Sequence, residues 1–157
     1  MNIYKRRKFF WPFFSVFILL IGLTIFWPIE SDITGARLDA KDANLVDQGK
    51  SIYAMHCASC HGVQLEGQPN WRGKGSNGRF LAPPHDNSGH TWHHSDMKLI
   101  ETVKNSFNSV PGYQSDMPAF KNTLTDAQII AVLSFIKSNW SPEHQANQEK
   151  LNQLMRY

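Results

Sequence analysis

Cysteine is nearly absent from this chain of 157 residues: there are two, Cys57 and Cys60. Both fall in one short string, so no pair remains for a structural disulfide, and no second Cys-x-x-Cys exists to complete a zinc site. Strands are missing too. No stretch alternates with period two between helices, which removes the thioredoxin-like setting for a Cys-x-x-Cys pair. No internal repeat is present. Positive charge is scarce once its position is considered. The formal charge is +3, but Lys5, Arg6, Arg7 and Lys8 supply four positive charges near the N-terminus, leaving −1 for the remainder. That distribution excludes a nucleic-acid surface and reads as a topological signal. Length, with 41% hydrophobic and 18% charged residues, fits one compact domain plus a targeting or anchoring segment.

What is present begins with an uncharged apolar run of 19 residues over 9–27. As a helix it would extend about 28 Å, close to the ~30 Å of bilayer hydrocarbon. Pro12 sits near its start, where proline costs a helix little, and Trp11 and Trp27 suit the two membrane interfaces. A cleaved signal peptide is the alternative, but its apolar core is usually shorter, and the only small-x-small site nearby, Thr34-Gly35-Ala36, lies well past the run. The expectation is an uncleaved single-pass anchor in a bacterial inner membrane. The basic N-terminus would lie in the cytoplasm, and the rest of the chain beyond the anchor on the periplasmic side. Residues 1–29 are assigned to this anchor, 30–43 to a polar tether, 44–140 to the domain, and 141–157 to a polar tail, helical or frayed.

Within the domain, Leu45, Gly49, Tyr53 and His56 recur at helical spacing, with Asp42 or Asn44 as cap. Gly49 suits a close helix crossing. Residues 62–89 hold six glycines and three prolines and read as loop. Ser95 caps a short helix expected over 96–104, with Leu99, Ile100 and Val103 inward. Thr125 and Gln128 match a capping box. The helix after it carries the stripe Ile129, Val132, Leu133, Ile136 and Trp140, and Pro142 stops it.

The first helix runs straight into Cys57-Ala58-Ser59-Cys60-His61. Cys-x-x-Cys-His is an attachment string for c-type haem: two thiols add across the porphyrin vinyl groups, and the histidine lies under the iron. The chain then resembles a monohaem class I cytochrome c. The residues that carry the resemblance are this string with Gly62, the helix before it, and Asp116-Met117-Pro118-Ala119-Phe120 ahead of a final amphipathic helix. The resemblance covers about residues 44–140. It implies an all-α cytochrome c fold whose first and last helices cross beside one covalent haem c. It also implies thioether bonds at Cys57 and Cys60, a proximal ligand at His61 and a distal ligand at Met117.

Chemistry supports the same roles. An electron carrier needs two strong axial ligands so that no site stays open to oxygen, and a thioether favours Fe(II). The ligands must approach from opposite faces, and 56 positions separate His61 from Met117. Met97, Met55 and the nearby histidines remain rival ligands. Pro83-Pro84 resembles the family's proline whose carbonyl orients the proximal imidazole, or is a plain turn. Trp71, Arg72, Arg79 and Trp92 are candidate propionate donors, and Phe80, Leu81, Leu99, Phe107, Phe120 and Leu133 candidate haem-lining residues.

His85, His90, His93 and His94 fall within ten residues. His90, His93 and His94 have spacing that suits copper or zinc, a tentative second metal site. The preferred reading is a solvated loop ahead of the Ser95 cap, with Trp92 on the haem edge. The string also resembles a subgroup of membrane-anchored monohaem cytochromes with Gly-His-x-Trp-His-His.

The resulting expectation is a membrane-tethered electron-transfer cytochrome, not an enzyme. It would meet redox protein partners at the membrane and contact lipid through residues 9–27. Two alternatives stay open: a haem subunit of a larger respiratory or copper-related complex, and a peroxidase-type haem enzyme, which would need a labile distal position.

Overall fold

The computed structural model describes residues 37–107 and 110–155. The architecture is helical: α1 over Ala43–His56, α2 over Ala58–His61, a 3-10 turn over Thr91–His93, α3 over Asp96–Asn105, α4 over Asp126–Ser138 and α5 over Pro142–Leu154. No strand occurs among the described residues. Phe80 makes isolated bridges to Lys74 and Ser115. None of the described helices is long and apolar enough to cross a membrane. The apolar run at 9–27 lies outside the described residues.

The helices start where short polar side chains can take up free backbone N–H groups. The Asp42 carboxylate accepts from Leu45 N–H, Ser95 Oγ from Lys98 N–H, and Thr125 and Gln128 form the complete capping box. α4 then buries Ile129, Val132, Leu133 and Ile136 of the expected stripe, and Trp140 is buried just past its end. Each such side chain contributes about 1.5–3 kcal/mol when fully removed from water. α1 crosses α4 at Gly49, where an added Cβ would stand 2.0 Å from the Ala131 carbonyl oxygen. Only a residue without a side chain permits that approach.

Two segments are held by polar contacts that the sequence pattern does not show. The end of the tether is docked rather than free. Leu38 is buried, its N–H donates to Asp96 Oδ2 at 3.0 Å, and its carbonyl accepts from Lys137 Nζ at 3.4 Å. Asp96 and Lys137 are themselves a buried pair 3.9 Å apart. Such a pair is tolerable because the Leu38 backbone gives each charge a hydrogen bond. The lack of apolar periodicity hid this docking, since one leucine and two backbone groups carry it.

The polar tail forms α5 with Pro142 as its first residue, and α4 already ends at Ser138. Its sequence predicts few contacts with a core, yet Gln148 and Asn152 are buried. Gln148 Nε2 donates to the His94 carbonyl, and Asn152 Oδ1 accepts from Asp96 N–H at 2.8 Å. Arg37 pairs with Glu149 on the surface. Polar side chains dock this helix by hydrogen bonding backbone, which a hydrophobic pattern cannot reveal.

Candidate functional site

Cys57 stands at the break between α1 and α2. Its N–H continues the α1 ladder to the Tyr53 carbonyl, and its own carbonyl accepts from Cys60 N–H at 3.1 Å and His61 N–H at 2.9 Å. The string therefore coils in one tight turn on the end of α1. Both thiols are free, Cys57 half-buried and Cys60 exposed. Burial, and then the neighbouring Cys60, pushes the Cys57 thiol up to about 11.

His61 is buried, and its Nδ1 lies 2.8 Å from the Pro83 carbonyl oxygen. A carbonyl only accepts, so Nδ1 carries the proton. Burial lowers the imidazole's affinity for a second proton, and the hydrogen bond to Pro83 opposes that shift only in part. The ring is then neutral with a lone pair on Nε2, the form a metal ion takes as ligand. Of the two prolines considered, Pro83 supplies the orienting carbonyl. The turn after His61 is held by Tyr53, whose hydroxyl donates to the Gly62 carbonyl at 2.8 Å. Gly62 has φ +81°, and a Cβ there would strike the Glu66 carboxylate.

Met117 sits on the loop between α3 and α4. Its N–H donates to Ser115 Oγ at 3.1 Å, and its carbonyl accepts from Ser106 Oγ at 2.6 Å. The loop's far end is stitched to α3 by Phe120 N–H to the Val103 carbonyl and Lys121 N–H to the Lys104 carbonyl. The Met117 side chain packs against the core, whereas Met97 and Met55 are 43% and 69% exposed. That contrast separates Met117 from its methionine rivals.

Leu99, Phe120 and Leu133 of the expected lining are buried, and Phe120 meets the His56 ring edge-on. Phe80 stacks on Tyr113 at 4.5 Å, and Phe107 packs tilted against the same ring at 4.4 Å. Among the candidate propionate donors, Arg79 pairs with Asp116 at 3.1 Å. Arg72 lies over the Trp71 ring. Trp92 Nε1 is a buried donor with no partner among the described residues.

The histidine-rich stretch is dispersed over aromatic partners. His90 stacks on Trp71, His93 on Trp92, and His144 of α5 also stacks on Trp92. His90 and His94 meet edge-on with ring centroids 5.6 Å apart. Among the described residues, no three His, Cys, Asp or Glu side chains are grouped so as to hold a metal ion. The structure thus does not bring His90, His93 and His94 together as ligands.

Sequence reasoning missed His85. Its ring stacks on His61, with centroids 4.0 Å apart and planes at 23°. Burial, then the nearby His61 and His90 rings, hold it well below the usual histidine range. The available signal was its place two residues after the proline that orients His61. The histidine run downstream drew it into the wrong group.

Two unpaired thiols on one turn, a neutral imidazole with Nε2 making no hydrogen bond to the described residues, and a core-facing thioether form a donor set that fits haem c. Fold and donor set together define a class I c-type cytochrome. The chain belongs to the cytochrome c family, whose model matches residues 46–140. Its cofactor is covalently bound haem c. A further similarity is to the Cbb3-type cytochrome c oxidase subunit CcoP of Azospirillum sp. (strain B510), 32% identical over 97 residues. The match covers 62% of this chain and 29% of that protein. Among solved structures, cytochrome CL from the marine methylotroph Methylophaga aminisulfidivorans MPT superposes with a TM-score of 0.47 at 22% identity, over 78% of this chain and 75% of that one.

Proposed function

We propose that this cytochrome is a membrane-tethered electron carrier, with the haem held by Cys57 and Cys60 and ligated by His61 and Met117. The observation that carries the reading is the pairing of a neutral, carbonyl-oriented His61 with a core-facing Met117 fixed by two hydrogen bonds. Haem supplies a one-electron Fe(II)/Fe(III) couple. The residues of this chain fix it, orient the proximal imidazole and keep water from the ring. Two axial ligands leave no open position for substrate, which favours a carrier over a peroxidase-type enzyme. The uncharged run at 9–27 behind four basic residues supports an inner-membrane anchor with the domain on the periplasmic side. A tether of this kind raises the local concentration of the domain at membrane partners, to the order of millimolar.

The axial assignment is tested by substitution. Met117→Ala should abolish the far-red iron–methionine charge-transfer band and let carbon monoxide bind the ferrous protein. Met97→Ala should do neither, and an exchange of behaviours between the two variants would refute the assignment. The similarity to an oxidase subunit favours one second reading, in which the domain is part of a permanent redox complex. Purification of the full chain in mild detergent separates the two. A lone 18.0 kDa species supports a tethered carrier, and stoichiometric partners support a subunit.

A further inference from the structure

We infer that His85 is a positioning residue that sets the ring plane of His61 through a near-parallel imidazole stack, an inference that rests on His61 being the proximal ligand. The hydrogen bond from His61 Nδ1 to the Pro83 carbonyl fixes one atom of the ring. The torsion that turns a histidine ring about its Cβ–Cγ bond is broad and sets no sharp angle on its own. A second contact is needed to define the plane, and the His85 ring provides it, 4.0 Å away and tilted by 23°.

His85 is held on three sides. Its N–H donates to the Leu65 carbonyl at 2.7 Å. Its carbonyl accepts from Trp140 Nε1 at 2.8 Å. Its ring Nδ1 lies 2.8 Å from Thr91 Oγ1, and Thr91 is buried in the 3-10 turn. The two backbone bonds anchor the residue to the loop after α2 and to the segment after α4, and the third ties its ring to the histidine-rich stretch. A leucine would fill the same space without needing a polar partner. A buried imidazole costs desolvation unless its nitrogen is satisfied, and Thr91 satisfies it. The stretch that looks like a metal cluster in the sequence therefore supplies a latch, Thr91, for a ring pressed on the proximal ligand. Partners of this kind commonly fix the orientation of a ligating histidine.

The orientation of the proximal ring relative to the haem nitrogens splits the iron d orbitals. It is read from the ferric EPR g-values and from the spread of the haem methyl resonances, neither of which tracks simple loss of packing. His85→Leu in the full-length holoprotein should shift and broaden the low-field g feature and change the methyl pattern while the far-red band persists. Thr91→Val, which keeps the fold's volume but removes the latch, should move both readouts in the same direction by less. His85→Phe, which keeps a flat ring against His61, should return them towards wild type. Wild-type g-values and methyl shifts in His85→Leu would overturn the inference, as would identical shifts in the Leu and Phe variants. A wild-type protein that binds haem but lacks histidine ligation would instead overturn the underlying assignment, so the two failures are distinct.

Discussion

The two sides of the site are built differently. On the proposed proximal side His61 ends the one-turn helix α2. It is buried and receives support from a carbonyl, a stacked ring and, through Gly62, the Tyr53 hydroxyl. On the distal side Met117 sits on an irregular loop, only part-buried, with serine hydroxyls holding its backbone rather than its sulfur. The two proposed ligands therefore have different mechanical backing. Displacing His61 means breaking its bond to the Pro83 carbonyl and its stack on His85. Displacing Met117 means loosening a loop, which costs much less because few buried contacts oppose it.

The strongest way to break this contrast is at the crossing. Gly49→Val places a branched side chain against the Ala131 backbone and should destabilise the domain by about 3 kcal/mol, read as a fall in the urea midpoint. An unchanged midpoint would mean that the crossing does not brace the haem string. Next, Tyr53→Phe leaves the Gly62 carbonyl without its donor and should cost about 1 kcal/mol, with the far-red band intact. Thr125→Ala removes the α4 cap, which bonds neither His61 nor Met117, and should cost a similar amount, about 1 kcal/mol, again with no spectral change. These two calibrate what loss of stability alone does to the spectrum. The smallest change in stability, about 0.5 kcal/mol, is expected for Ser115→Ala, because its bond to Met117 N–H is only part-buried. Yet it should weaken the far-red band on warming well below the unfolding midpoint. A band that instead persisted up to global unfolding would show the distal loop to be as firmly held as the proximal helix.

Much of the fold was legible from local chemistry. Caps at Asp42, Ser95 and Thr125 and the stripe on α4 are local or periodic signals, and each gave its helix to within a residue or two. The attachment string is likewise contiguous, so Cys57, Cys60 and His61 stand out without a fold. His85 was misgrouped because four histidines within ten residues look alike in one dimension, while the chain folds one of them against the proximal ring and hands His90 and His93 to Trp71 and Trp92. Residues 37–39 and α5 were underrated for a related reason: buried polar groups dock them, and polarity in a sequence reads as exposure.

Residue type and short-range spacing were enough to mark one haem string, helices on either side of it, and Met117 as a candidate donor. Packing was needed to show that Pro83 rather than Pro84 orients His61, that Met97 and Met55 face outward, and that His85 leans on the ligand. Those outcomes depend on which surfaces meet when α1, α4 and α5 pack. No pattern along the chain encodes where two distant side chains come to rest against each other.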